Sequence, residues 1–123
     1  MNLKQYLERL TSVKGFLGIA VFTPDGEALE AIRSPSIEAG INKEFAGALI
    51  NNTLLIAQDM ARDIGLGRIN FLQIDTLKGT VIIKCYNVSD IHFHTILFLK
   101  KDGNIAMGKL LLQKAIEGLA QEF

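Results

Sequence analysis

The sequence is poor in several residue types: its 123 residues include one cysteine, two prolines, two histidines and no tryptophan. A single cysteine, Cys85, excludes an internal disulfide, and we therefore expect a cytoplasmic protein kept in a reducing compartment. A chain of this length buries enough apolar surface to fold without a disulfide or a structural metal. We expect one domain that spans residues 1–123.

The chain also lacks a surplus of charge, because its 13 basic residues match its 13 acidic residues. The longest basic block is the pair Lys100 and Lys101, so the clustered positive charge that nucleic acids and anionic membranes attract is missing. No apolar run approaches the length of a membrane span, and the segment Met1–Lys4 does not begin a signal peptide. We expect no nucleic-acid partner and no membrane insertion.

What the chain has in excess is apolar surface: 49% of its residues are hydrophobic and the mean hydropathy is +0.26. A small domain has little core to bury such a surplus, and unburied apolar residues commonly cover an interface. This composition favours an oligomer over a tightly packed monomer.

The order of the secondary-structure elements follows from periodicity and turn signals. An apolar run that ends at Pro24-Asp25-Gly26 indicates a buried strand followed by a hairpin, because proline and glycine preset the turn dihedrals. The whole pattern predicts α-β-β-α-β-β-β-α, with helices over 3–13, 41–63 and 105–120 and strands over 16–23, 28–33, 68–75, 80–86 and 91–100. Short β-to-β connections favour an antiparallel sheet of five strands. We expect an α+β fold with the first and fifth strands central and helices on both faces.

The long second helix carries two apolar lines where packing on a sheet needs one. One line consists of Leu49, Ile56, Met60 and Ile64, and the other of Ala46, Ile50, Leu54, Ala57 and Ala61. Small residues in the second line suit the close approach of another helix, so we expect that line to form a dimer seam. The alternative is a helix buried deeply between the sheet and the other helices.

The third strand supports a dimer. It contains neither lysine nor proline over 69–75, and an unprotected apolar edge tends to aggregate unless another strand pairs with it. Pairing with the twofold mate would solve this problem. The predicted dimer interface therefore comprises Ala46, Ile50, Leu54, Ala57, Ala61, Asn70, Phe71, Leu72, Gln73 and Ile74.

Catalytic and cofactor motifs are weak. The glycines at 15 and 18 are not followed by the Gly-Lys-Ser/Thr of a phosphate loop, and Gly65-Leu66-Gly67 ends a helix where a dinucleotide fingerprint would open one. We expect no catalytic residue and no cofactor.

The two histidines, His92 and His94, share a face of the fifth strand, and Cys85 could offer a third metal ligand from a neighbouring strand. The spacing matches no established zinc motif, however, so we expect histidines that bond to neighbouring groups, a buried Cys85 and no metal.

The sequence resembles the Roadblock/dynein light-chain family, which includes bacterial and archaeal MglB-like regulators. The resemblance rests on the helix that ends at Val13-Lys14-Gly15, the strand 16–21, the hairpin Pro24–Glu27, the long second helix, the three-strand meander and the last helix that opens at 105–110. It implies a five-stranded sheet covered on both faces, and a dimer that pairs the third strand and the second helix.

The resemblance also implies a function. Members of this family regulate or scaffold Ras-like small GTPases or serve in motor complexes. We therefore expect a non-enzymatic homodimer that binds such a GTPase through its paired second helices, with contacts at Lys43, Glu44, Asn51, Gln58 and Arg62. The alternatives are a GTPase-activating partner without catalytic residues of its own, a motor or cytoskeletal light-chain-like adaptor, and a small-ligand sensor or enzyme with a pocket beside His92 and His94.

Overall fold

The computed structural model describes residues 3–35 and 43–122, and the side chains at 43–49 and at 122 lie outside that description. Its helices are α1 (Leu3–Leu7), which continues as a 3₁₀ segment (Glu8–Ser12), α2 (Lys43–Asp63) and α3 (Ile105–Glu122). Its strands are β1 (Phe16–Phe22), β2 (Ala28–Arg33), β3 (Phe71–Asp75), β4 (Gly79–Val88) and β5 (Ile91–Lys100). The predicted order of elements and the α+β class are confirmed.

The five strands form one antiparallel sheet in the order β2-β1-β5-β4-β3. As expected, β1 and β5 lie inside the sheet and pair with each other, from Phe16 opposite Leu99 to Phe22 opposite His94. The shorter strands β2 and β3 form the two edges.

The first face of the sheet is covered by α1, the 3₁₀ segment and α3. Leu7 and Leu10 from the N-terminal segment and Leu112 from α3 are buried against Ile82 and Leu97 of the sheet. Asn104 caps α3, because its Oδ1 accepts a hydrogen bond of 3.0 Å from the backbone N–H of Met107. This layer holds the larger part of the core.

Within residues 3–35 and 43–122, the second face is covered by α2 alone. Leu54 packs there against Ile83 and Ile96, together with Ala20 and Cys85. The two layers make the arrangement of helices on both faces that the sequence predicted. Among the described residues, no helix has the length and apolar character needed to cross a membrane.

Two predicted boundaries differ from the structure for identifiable reasons. The first helix tightens to 3₁₀ geometry after Leu7, where the hydroxyls of Thr11 and Ser12 donate to carbonyls three residues earlier. The third strand begins at Phe71 and not at Arg68, because the backbone N–H and the carbonyl of Ile69 are both hydrogen-bonded to the side-chain amide of Gln58.

The β4–β5 hairpin is longer than predicted. Val88 pairs with Ile91, so the turn consists of two residues, and Ser89 adopts a φ of 55° within it. The sequence analysis placed Asn87 in the turn, whereas the structure places it inside β4 opposite His92. This register positions the polar residues of the candidate site.

Candidate functional site

The apolar line of α2 that faces the sheet is not the line that we expected to face it. Leu54 and Ala61, from the predicted seam, are only 2% and 6% exposed. Ile50 from the same line packs against the cluster that contains Leu54. Ile56 and Met60 are 72% and 59% exposed. Ile50, Leu54 and Ala61 thus face the sheet of their own chain, whereas the contact of this line with a second copy of the helix stays a prediction.

The surface under α2 combines small side chains, among them Ala20 and Cys85, with larger ones, among them Phe22, Ile83 and Ile96, and Leu54 packs into this cluster. Of the other predicted seam residues, Ala57 is half-buried, and the side chain of Ala46 lies outside the described residues.

The edge strand β3 has two distinct faces. Leu72 and Ile74 are half-buried, and Leu72 packs against the cluster under α2. Phe71 and Gln73 alternate with them, and the ring of Phe71 lies 5.9 Å from Nζ of Lys84. A second ammonium, that of Lys109 on α3, lies 5.1 Å from the same ring. The outer edge of β3 carries no neighbouring strand within residues 3–35 and 43–122.

Asn70 precedes this strand, and its carbonyl accepts a hydrogen bond of 3.0 Å from the backbone N–H of Cys85. The backbone of Asn70 is therefore tied to β4, while the residue itself is exposed.

The predicted partner contacts on α2 divide into three groups. Gln58 is committed to its own chain, because its Oε1 accepts from the N–H of Ile69 at 2.8 Å and its Nε2 donates to the Ile69 carbonyl at 3.1 Å. Arg62 is exposed and forms ion pairs with Asp59 at 3.2 Å and Asp63 at 3.6 Å. Asn51 is half-buried, and the side chains of Lys43 and Glu44 lie outside the described residues.

A cleft of about 510 Å³ separates the C-terminal half of α2 from one end of the sheet. The helix and the segment after it contribute polar and charged groups, and β5 contributes both histidines. Its lining residues include Gln58, Asp59, Arg62, Arg68, His92 and His94. The cleft therefore brings the predicted histidine pair together with three of the predicted α2 contacts, Asn51, Gln58 and Arg62.

Four polar or sulfur-containing side chains converge at the sheet side of the cleft. Cys85 pairs directly with His94 across β4 and β5. Asn87 pairs with His92 two residues further along the same two strands, on the same face of the sheet. The Oδ1 of Asn87 lies 2.7 Å from Nδ1 of His92. The two imidazole rings lie edge to face, with centroids 4.9 Å apart. Cys85 and His94 are buried, whereas His92 is partly open to the cleft.

Burial sets the protonation of this cluster. It lowers the pKa of His92 and of His94, and the positive charge of Arg68 lowers the pKa of His92 further. Both imidazoles are therefore neutral at neutral pH. Burial raises the pKa of the Cys85 thiol, an effect that Arg68 and Lys84 partly oppose.

Two residues of this site are not predicted by the sequence. The pattern predicts Arg68 in a strand, whereas Arg68 lines the cleft, and it predicts Asn87 between two strands, whereas Asn87 lies in β4. The signal for Asn87 was the Ser89-Asp90 pair: a two-residue turn there forces Asn87 to face His92.

Comparison with known proteins rests on structure. No protein-family model matches the sequence, and no curated protein is similar to it. The gliding protein MglB of Thermus thermophilus superposes with a TM-score of 0.82 at 15% identity, over 97% of this chain and 86% of that one. MglB of Myxococcus xanthus superposes with a TM-score of 0.82 at 13% identity, over 98% and 94% of the two chains.

A third solved structure, a Roadblock/LC7 domain from Streptomyces avermitilis, has a TM-score of 0.81 at 8% identity, over 99% of this chain and 98% of that domain. These superpositions cover nearly all of each chain at low identity, so what they share with this protein is architecture. The chain has the Roadblock/LC7 fold, as the resemblance in its sequence implied.

Proposed function

We propose that this protein is a non-enzymatic homodimeric regulator or scaffold that binds a Ras-like small GTPase through its paired α2 helices. One observation supports the proposal most directly: α2 exposes the apolar residues Ile56, Met60 and Ile64, called here the exposed line, in a chain with the fold of MglB. Such a line is unfavourable in water unless a partner covers it.

The first step of the proposal is the dimer. Burying an exposed isoleucine or methionine side chain stabilises an interface by about 1.5–3 kcal/mol. The exposed line offers three such side chains, and the free edge of β3 offers backbone donors and acceptors. A twofold axis that pairs the β3 edges and brings the exposed lines together would satisfy both.

The second step is the GTPase surface. Once the exposed line is covered, the side of α2 that still faces solvent carries Asp59, Arg62 and Asp63, linked by two ion pairs. Charged groups of this kind at the rim of an interface set partner choice and association rate. We therefore propose the C-terminal half of α2, with Arg62 and Asn51, as the contact with the GTPase.

The test is affinity capture from a native lysate of the source organism, with immobilised protein and either a GTP analogue or GDP, read by mass spectrometry. We expect a Ras-like GTPase to be retained in one nucleotide state. Arg62→Glu should weaken that retention, because it reverses the charge of the proposed contact, whereas Lys114→Glu on α3 should leave it unchanged. If no GTPase is retained in either state, the proposal fails.

Hydrolysis separates the regulator from its closest alternative, a GTPase-activating partner. The captured GTPase is mixed with GTP in a single turnover, with and without this protein. If hydrolysis accelerates, we expect Arg62→Ala to preserve the acceleration when this protein is present at saturating concentration, because Arg62 is paired with Asp59 and Asp63 and would act by contact and not as a catalytic arginine.

A small-ligand sensor is the second candidate function, and the cleft beside His92 and His94 favours it. A ligand that binds only the native state raises the melting temperature. A screen of nucleotides and metabolites by thermal shift therefore tests this candidate without reference to any GTPase.

A further inference from the structure

We infer that Cys85, His92 and His94 form a Zn²⁺ site on the sheet side of the cleft, with a coordination position left open toward the cleft. This site goes beyond the proposed GTPase surface and reverses the expectation from sequence that the chain binds no metal. One ligand atom from each of the three residues lies within 4.8 Å of the other two.

The distances suit a tetrahedral zinc ion. Zinc–sulfur and zinc–nitrogen bonds of about 2.3 and 2.0 Å place ligand atoms roughly 3.3–3.6 Å apart. The three atoms therefore need to approach by about 1.5 Å at most, which rotations of the imidazole side chains supply. One thiolate and two imidazoles form a donor set that zinc accepts readily.

The strands fix the site before any ion arrives. Cys85 and His94 are direct partners on β4 and β5, and His92 lies two residues before His94 on the same face. The backbone N–H of Cys85 is itself held by the carbonyl of Asn70. Ligands on paired strands hold their geometry better than ligands on loops, so little ordering cost remains for binding.

Asn87 supplies the supporting contact that metal sites commonly show. Its Oδ1 accepts from Nδ1–H of His92 at 2.7 Å, which leaves Nε2 of that ring with its lone pair available. A hydrogen bond of this kind orients the ring and selects the ligating nitrogen.

The Cys85 thiolate offsets part of the positive charge that Zn²⁺ brings into the cleft. Arg62 and Arg68 contribute two positive charges to the lining, and Asp59 contributes one negative charge. The Cys85 thiolate adds a second negative charge when it binds the ion. Access is open, because His92 is only partly buried and lines the cleft.

Composition makes the experiment sharp. The chain has one cysteine and two histidines, and all three meet at this site. A thiolate-to-metal charge-transfer band can therefore come from Cys85 alone, and the protein is used without a histidine tag because a tag would itself bind the metal. The full chain, stripped of metal with a chelator, is titrated with Co²⁺ and followed in the near-ultraviolet and visible regions, and then with Zn²⁺ against a chromophoric chelator.

We expect a thiolate-to-cobalt band, intense visible bands of a tetrahedral ion, and displacement of Co²⁺ by one equivalent of Zn²⁺ per chain. Cys85→Ala should abolish the band, and His92→Gln should weaken zinc binding at least as much as Asn87→Ala, for which about tenfold is expected. Zn²⁺ should also raise the melting temperature of the unmodified chain.

The zinc test can be decided even if the Cys85→Ala variant does not fold. Cys85 is buried, so its variant could unfold, but His92 is partly exposed and His92→Gln keeps the volume and polarity of the side chain. Absence of the thiolate band in the unmodified chain overturns the proposal. Equal zinc affinity of the unmodified chain and His92→Gln overturns it as well. Neither result bears on GTPase capture, which is measured separately.

Discussion

At the scale of single residues, Gly15 shows how one missing side chain joins two distant parts of the chain. Its φ is +84°, and a Cβ at this position would lie 2.6 Å from Cα of Gly103. The two loops are then linked by backbone hydrogen bonds from Lys100 to Gly15 at 2.8 Å and from Asn104 to Lys14 at 2.9 Å. The loop before β1 and the loop after β5 are thus in direct backbone contact.

Gly15→Ala is expected to destabilise the protein by more than 2 kcal/mol. The left-handed conformation alone costs a non-glycine residue about 1–2 kcal/mol, and the contact with the Gly103 backbone adds to this cost. Chemical denaturation measures the change in the free energy of unfolding.

The matched control is Gly67→Ala. Gly67 has a φ of +81°, but a Cβ there would have no neighbour within 4 Å, so only the conformational cost of about 1–2 kcal/mol applies. Equal losses in the two variants would show that the contact with Gly103 contributes nothing.

The sequence predicted the conformation of Gly15 but not its reason. A glycine after the first helix suits a left-handed conformation, and Gly15 has it, but the residue that caps the 3₁₀ segment, Val13, is extended, so Gly15 lies in the turn before β1 and not at the helix end. The close approach of Gly103 could not be predicted, because nothing in the local pattern shows which loops meet in space. The same limit applied to Cys85: its partnership with His94 depends on register between strands.

At the scale of elements, Gln58 acts as a substitute strand partner. Its amide donates to the carbonyl and accepts from the N–H of one residue, Ile69, as a neighbouring strand would. This pair of bonds ties α2 to the segment that leads into β3, and Gln58 also lines the cleft.

Gln58→Ala is expected to cost about 1–2 kcal/mol of stability, because two hydrogen bonds to the backbone are lost. The N–H of Ile69 should also exchange faster with solvent, which amide hydrogen exchange measures. Gln113→Ala, a substitution on the exposed face of α3, should change neither quantity. Unchanged exchange at Ile69 in the Gln58 variant would contradict this role.

The element order was predictable, whereas the rotation of α2 was not. Apolar periodicity and turn residues suffice to identify eight elements, and four of the five strands were located within two residues of their observed ends. Either of the two apolar lines of α2 could have been the sheet-facing side of an amphipathic helix. The choice between them depends on packing against sheet residues such as Ala20, Ile83 and Ile96, which the periodicity of the helix does not contain.

At the scale of the whole molecule, the exposed line makes the oligomeric state testable. We expect Ile56→Glu to convert the proposed dimer into a folded monomer, because the side chain is 72% exposed and a carboxylate there harms only an interface. Sedimentation or light scattering measures the mass, and circular dichroism confirms the fold.

Leu55→Glu is the matched control for that variant. Leu55 is adjacent on the same helix and 55% exposed, but it lines the cleft and not the exposed line. It should therefore leave the dimer intact. If Leu55→Glu splits the dimer and Ile56→Glu does not, the interface lies on the cleft side of α2. Leu54→Glu should unfold the chain outright, because it buries a charge in the core.

The pairing of β1 with β5 has a consequence for how this molecule is made. Phe16 meets Leu99, so the centre of the sheet joins residues from opposite ends of the chain. During synthesis the β1–β2 hairpin leaves the ribosome before β5 has been made. The edge of β1 that pairs with β5 in the native sheet is therefore unpaired at that stage. The meander β3-β4-β5, whose contacts are local, can form first and then serve as the template on which the older hairpin docks. The β1–β2 hairpin, although synthesised before the meander, would thus be among the last elements to reach its native place.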